Sequence, residues 1–518
     1  MSEEASKGFQ EARKEQYDRN EARNIWYHVH QHRGSHVASI RWPFELFQNA
    51  LDAGPRPGRS SVAIGISHQD SGLIFEHDGA PFSYDDLAAL LSGGSSKDLQ
   101  SATTTGRFGI GYLVTHILSE RVHLKGLLKV PTGTEQFDLV LDRSGDEQAI
   151  LNNIHLCGES IRAAKAITDT EITPSAIFEY PIQDAIAIDA GIAALRKALP
   201  YLYASRPNLG RVVIEREGGT REVWAPGELI GEAIEDGWLE YRSLQVHQQG
   251  NALPEIRIYR FVTKQKASSS ALVLVERTES GWKAIRPDQD APRVYREYPL
   301  SGSGFLPINL VLDGKFDPDE QRRAPKMGEE DKKLLIEALA AGVLAVKYAF
   351  AAKWENGHLL ARASNPTTAF NPSDVGEKQW WTEQLSVFAQ ALARLPIVKC
   401  TAGDLPAVTD ADEGQFADFI IPRLWPASTE DETTVERMWP VVAACTELDP
   451  PTEELASDWT EIAEGWLRAE EPYSCPGIRR TSGAYTGQPG TQPRKELRVR
   501  QEKMANLAGH LWNVWTQI

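Results

Sequence analysis

Three short segments between Glu45 and Tyr112 constrain this chain more than anything else in it. In the first, IRWPFELFQNALDA, the residues Phe44, Phe47, Ala50 and Leu51 recur at three- and four-residue spacings, which predicts an amphipathic helix from Ile40 to Ala53 started by Pro43. The same period carries Glu45, Asn49 and Asp52 onto one face, one turn apart. In the second, FEHDGAPFS, Asp78 ends a strand and Gly79 follows it in a turn. In the third, TGRFGIGY, the glycines Gly106, Gly109 and Gly111 open a helix behind SGGSSKDLQSATTTG, a stretch too small and polar for a core and therefore expected to be a loop.

Each segment has an ordinary reading, as the polar face of a helix, a common turn dipeptide and a flexible connection. Together they suit one chemistry. A carboxylate orients and deprotonates water, while an amide oxygen is a hard, uncharged ligand for Mg2+. A carboxylate at a turn accepts the exocyclic amine of adenine, where guanine would offer a carbonyl. Glycines at a helix start let backbone amides approach a phosphate chain. The segment is no Walker A motif, because no Lys-Ser/Thr pair follows the last glycine, and its G-x-x-G-x-G spacing is not that of a dinucleotide fingerprint.

In order and spacing the three segments resemble the GHKL ATPases, the superfamily of heat-shock chaperones, DNA gyrase, MutL and histidine kinases. ELFQNALDA resembles their N-box, HDGAPF their first glycine box, and SGGSSK with GRFGIGY their lid and second glycine box. The form of these boxes is closest to the heat-shock and sacsin-like ATPases. The resemblance implies that Glu45 is the general base, Asn49 the Mg2+ ligand and Asp52 a supporting contact near the base or ribose. It implies that Asp78, with Gly79, reads adenine. Ser95, Ser96 and Lys97 would belong to the lid, and Gly106, Arg107, Phe108, Gly109, Ile110, Gly111 and Tyr112 would wrap the phosphates. The family's Gly-Thr strand is replaced by TPSAIFEYP, where Thr173 or Ser175 would supply the hydroxyl behind Asp78. LPINLVLDGKFDPDEQRRAPKM resembles the transducer segment that reaches the γ-phosphate, which makes Arg322 or Arg323 a candidate transition-state clamp.

The rest of the sequence sets the frame. With 518 residues the chain is too long for one core. The expected fold is α+β: a Bergerat-type α/β sandwich that binds ATP over residues 1–181, a second α/β, transducer-like domain over 182–328, and a mainly helical region over 329–518. Strands are expected at SVAIGISH, GLIFEHD, RVHLKGLLKV, EQFDLVLD, SAIFEYPI, RVVIERE, EIRIYRFVT, ALVLVER and LPINLVLDG. Long helices are expected at DKKLLIEALAAGVLAVKYAFAAKW and EKQWWTEQLSVFAQALARL, and a docked apolar helix at the C-terminal NLAGHLWNVWTQI.

Hydrophobic residues at 41% and charged residues at 25% are ordinary values, and the letters show no apolar run near twenty residues, so a cytoplasmic protein without a membrane span is expected. The formal charge of −17 does not indicate nucleic-acid binding. Four scattered cysteines suit reduced thiols. His28, His30, His32 and His36 alternate as they would along one strand face, a metal grip that lacks an acidic or cysteine partner. The resemblance further implies ATP hydrolysis coupled to conformational change, a homodimer, and a protein client or partner subunit. A chaperone-like or anti-phage setting follows by analogy. The alternatives are a nucleotide-dependent interaction module and a DNA-associated GHKL ATPase with slow turnover. A histidine kinase is disfavoured because the histidines lie too close to Glu45.

Overall fold

The computed structural model describes residues 3–69, 71–92, 111–167, 174–181, 184–264, 268–319, 321–400, 403–405 and scattered positions from 452 to 466. The expected C-terminal helix and the Gly/Pro/Thr-rich stretch before it lie outside the described residues, as do Ser95, Ser96, Lys97, Gly106, Arg107, Phe108, Gly109, Ile110 and Thr173. In chain order the helices are α1 (Glu3–His32), α2 (His36–Asp52), α3 (Tyr84–Ser92), α4 (Glu147–Arg162), α5 (Ala185–Ser205), α6 (Glu329–Ala351) and α7 (Val375–Ala393). The strands of the first half are β1 (Val62–Gln69), β2 (Gly72–His77), β3 (Arg121–Val130), β4 (Gly133–Asp142), β5 (Lys165–Ile167), β6 (Ala176–Pro181) and β7 (Leu209–Arg216). Those of the second half are β8 (Thr220–Ile234), β9 (Gly237–Gln248), β10 (Asn251–Ala252), β11 (Ile256–Thr263), β12 (Ser269–Arg277), β13 (Trp282–Ile285), β14 (Val294–Arg296), β15 (Tyr298–Pro299), β16 (Val311–Gly314), β17 (Val398–Cys400) and β18 (Gly403–Leu405).

Chain contacts divide the protein into two compact units. One holds Met1–Ile285, Gln289–Ser303 and Val311–Ala338; the other holds Arg286–Asp288, Gly304–Leu310 and Leu339–Ile518. The first unit contains a mixed 16-stranded sheet in the order β15-β14-β16-β12-β11-β9-β8-β7-β1-β2-β6-β3-β4-β5, with β10 on β9 and β13 on β12. All nine expected strand segments lie in it. The sheet does not end at Pro181. After α5, β7 returns to lie parallel to β1, with Ile64 opposite Val212 and Ile66 opposite Ile214, and the antiparallel meander continues from there. The clean alternation of VAIGISHQ gives β1 one buried and one partly exposed face, as a half-covered sheet requires.

Helices α2 and α5 pack against each other and cover the sheet, α2 over β1 and α5 over β9, β11, β12 and β15. Trp42 of α2 is fully buried and donates from its indole N–H to the Ala187 carbonyl at 3.0 Å. A Cβ on Gly191 would meet the same indole nitrogen at 2.0 Å, so only glycine permits this approach of the two helices. Burying a side chain of this size contributes about 3 kcal/mol.

Helix α2 starts earlier than Pro43 predicts. Ser35 caps it, accepting from the Ala38 amide, and Pro43 lies buried in the interior. The missing Pro43 N–H leaves one carbonyl of the preceding turn without its usual helical donor. The histidine alternation also misleads. His28, His30 and His32 belong to α1, where successive even positions fan around the helix, and His36 begins α2. No cluster of three metal-binding side chains occurs among the described residues. Ala22, Ile25 and Val29 bury one stripe of α1 with Leu113, Ile150 and Leu151.

In the second unit Phe305, Phe370 and Trp381 pack edge to face, and Asn309 Nδ2 donates to the Leu359 carbonyl at 2.8 Å. The expected helices are present as α6 and α7. An 18-residue window of α6 has mean hydropathy 1.8 and is half buried, so this helix is long and apolar enough to cross a membrane by composition, as are the core helices of many globular proteins. Glu337 and Lys347 interrupt its apolar letters and hide this in the sequence.

Candidate functional site

The site is built around α2. Its polar face is inside the protein: Glu45 is 3% exposed and Gln48 2%. Arg41, one turn earlier, grips Glu45 Oε1 from Nε at 2.8 Å and Nη2 at 2.6 Å. Its third nitrogen, Nη1, donates to the Gln321 carbonyl at 3.1 Å. Arg322, next in that loop, approaches Glu45 Oε1 to 3.3 Å and donates to Gln48 Oε1.

The loop presenting Arg322 is tied back on itself. Asp319 N–H donates to the Ala324 carbonyl at 2.9 Å and Lys326 N–H to the Asp317 carbonyl at 2.8 Å, while Asp317 N–H donates to the Asp331 carboxylate at 2.8 Å. At its tip Arg322 has φ of 52°, the left-handed region that non-glycine residues rarely occupy. Such a conformation persists where surrounding contacts hold it. Arg323 is exposed, and its backbone bonds to Asp319 and Gly302. Of the two candidate arginines, Arg322 is therefore the one beside the α2 carboxylate.

The other oxygen of Glu45 faces Gly111. A Cβ on Gly111 would lie 2.0 Å from Glu45 Oε2. Only a glycine fits, and the first and third sequence segments meet in space at this contact. Gly111 begins a 3₁₀ turn through Ile117 in which Tyr112 is buried. Thr115 Oγ1 donates to the Tyr112 carbonyl at 2.8 Å and accepts from the Tyr180 hydroxyl at 3.2 Å, anchoring this turn to β6.

Asn49 is half-buried and makes no side-chain hydrogen bond among the described residues. Its amide oxygen is a suitable hard donor for Mg2+, which commonly takes one or two protein ligands and completes its shell with phosphates and water. Asp52 is placed otherwise. Its side chain is 2% exposed and accepts from Arg206 Nη2 at 2.9 Å, and Arg206 also pairs with Glu297. Arg206 caps α5, so this ion pair joins the ends of two helices. Burial of Tyr298 beside Arg206 pushes its hydroxyl pKa well up.

Asp78 closes the other end. Its Oδ1 accepts from the Ala63 amide at 2.6 Å, and its Oδ2 pairs with Arg59. Gly79 sits where a Cβ would come within 3.1 Å of the Gly54 carbonyl and of His77 Nδ1. Buried His77 accepts the Gly79 N–H at 3.2 Å, and desolvation, with Arg56 nearby, lowers its pKa to about 4. Ser175 Oγ donates to the His77 carbonyl at 3.0 Å, so it supports the residue before Asp78 rather than the Asp78 carboxylate. His32 has its pKa lowered to about 4, first by burial and then by Arg41 and His28, against an opposing pull from Glu45.

Sequence reasoning missed Arg41, Gln48, Arg59 and Arg206. For Arg41 a signal existed: an arginine four residues before a carboxylate on one helix face. Two open clefts of about 260 and 540 Å³ lie around His68, Arg216 and Glu217. Charges there pair with one another, Arg216 with Asp189 and Arg221 with Glu215.

No protein-family model matches this chain. No curated protein matches it either. Among solved structures it is similar to the ATPase region of Saccharomyces cerevisiae topoisomerase II, at 14% identity and a TM-score of 0.23, over 40% of this chain and 58% of that one. The same region bound to ICRF-187 (dexrazoxane) matches with the same values. The chain thus spans 58% of the length of these two structures.

Proposed function

We propose that this chain binds ATP with Mg2+ along α2 and hydrolyses it, with Glu45 as the general base. The observation that carries this reading is the division of labour at Glu45: Oε1 is held by Arg41 and Arg322, and Oε2 faces Gly111. A carboxylate oriented through one oxygen can use the other to take a proton from water. Two guanidinium groups against one carboxylate favour the negative charge of a triphosphate at the same place. Arg322, at the tip of its loop, would turn from Glu45 to a transferring phosphoryl group. Bound Mg2+ would neutralise phosphate charge, with the Asn49 amide oxygen as its protein ligand. Asp78, fixed by the Ala63 amide, would accept the adenine amine.

Turnover would move the Arg322 loop and so report nucleotide state to the rest of the chain. In this reading the protein acts in the cytoplasm as a homodimer, on a protein client or partner subunit, in a chaperone-like or defence setting. The hold on Glu45 by two arginines also favours a second reading, a nucleotide-dependent interaction module, DNA-associated or not, that turns over slowly.

Phosphate release by purified Glu45→Gln beside the parent protein tests the base. The expected loss in kcat is about 10²- to 10⁴-fold with nucleotide affinity kept, because the amide retains the hydrogen bonds but cannot take the proton. Equal rates in the two proteins would remove Glu45 from the chemistry.

A further inference from the structure

The Asp78 carboxylate is shared. Ala63 holds Oδ1, and the other oxygen is occupied by Arg59, whose side chain is 44% exposed. Arg59 stands on the GPRPGRS loop between α2 and β1, where Gly54 and Gly58 take φ values of 77° and 83°. The backbone of that loop is stitched to the Asp78 turn: Ala80 N–H donates to the Gly54 carbonyl at 2.8 Å, and Arg56 Nε donates to the Gly79 carbonyl at 3.2 Å. Loop and turn therefore keep their relation, while the exposed Arg59 head can swing away, since a half-exposed ion pair opens easily.

We infer that Arg59 sets the nucleobase discrimination of this site, an inference that rests on the reading of Asp78 as the nucleobase contact. A carboxylate only accepts hydrogen bonds, and a guanidinium only donates them. With Arg59 withdrawn, the edge offers an acceptor alone, which matches the 6-amino group of adenine and repels the 6-oxo group of guanine. With Arg59 in place, the same edge also offers donors, which match a 6-oxo group. An adenine amine must compete with Arg59 for Asp78; a 6-oxopurine does not. The arginine thus broadens the site toward 6-oxopurine nucleotides and weakens its preference for adenine.

The test is equilibrium binding of ATP and GTP to the full chain, in the parent, Arg59→Ala, Arg59→Lys and Asp78→Asn proteins. Arg59→Ala is expected to raise the ATP-over-GTP preference about tenfold, by tightening ATP and weakening GTP, since a lost charge-assisted partner changes binding on that scale. Arg59→Lys, with a donor but no fork, should fall between. An unchanged ratio in Arg59→Ala, while Asp78→Asn loses ATP, would overturn the role of Arg59 alone. Undiminished ATP binding by Asp78→Asn would instead overturn the nucleobase reading beneath it. Thermal melts of the Arg59 variants should match the parent, because the side chain stands half outside.

Discussion

Helix α2 carries two buried carboxylates two turns apart, both held by arginine, and the arginines reach them from different parts of the chain. Asp52 is sealed: Arg206 reaches it from the end of α5, shares itself with Glu297, and lies against the Tyr298 ring. Glu45 is held by Arg41 and Arg322 through one oxygen, and its other oxygen lies against Gly111. The comparison separates a carboxylate whose partners join the ends of two helices from one whose second oxygen lies where only a glycine fits. Burial alone does not distinguish them.

The sharpest way to break this contrast is to remove each arginine. Arg206→Ala leaves Asp52 without its buried partner and should cost about 3–5 kcal/mol of stability, read as a lowered midpoint in denaturant unfolding. An effect below about 1 kcal/mol, the range of exposed pairs, would mean that Asp52 is no more sealed than a surface charge. Arg322→Ala should act mainly on rate, lowering kcat by about 10- to 100-fold with a smaller loss of stability than Arg206→Ala, because Arg41 still pairs with Glu45. Exposed Arg323→Ala is its control and should stay within about twofold of the parent rate. If the two variants lose activity equally, the loop acts as a charged surface and not through one aimed side chain.

A smaller effect concerns the turn at Asp78. His77 titrates near pH 4 when folded and near 6.5 when unfolded, so the unfolded chain binds the extra proton first as pH falls. Stability should therefore be highest above pH 6.5 and fall as pH drops from 6.5 toward 4. His32 contributes in the same sense. Thermal melts at pH 7 and pH 5 should show this slope, and His77→Asn, whatever its baseline, should make it shallower, leaving the shares of His32 and of buried His116.

One half of the candidate site stands out in the sequence more readily than the other. Glu45, Asn49, Asp78 and Gly111 fall in compact segments whose spacing follows from helix period and turn chemistry, so they can be singled out as candidates without a structure. Arg206 and Asp52 are 154 positions apart, and Arg322 and Gln48 are 274 apart; no local period connects them. Arg59 was hidden differently, inside a cluster of turn residues where an arginine has no assigned role. Pro43 gave a false helix start because Ser35 supplied a better cap, and the alternating histidines imitated a strand inside α1. The extent of the sheet was hidden as well. Each strand was legible by itself, but the parallel pairing of β1 with β7 depends on α5, which carries no strong stripe of polar against apolar residues.

That pairing also bears on how the chain is made. Strand β1 acquires its second neighbour only when residues near 209–216 arrive, almost 150 positions later in synthesis. Until then one edge of Val62–Gln69 presents unpaired amides and carbonyls. Long-range parallel pairing of this kind closes slowly. A nascent chain halted after Pro181 would hold all three conspicuous segments and still carry a sticky, unfinished edge, so translation past Arg216 marks the point at which that edge can close.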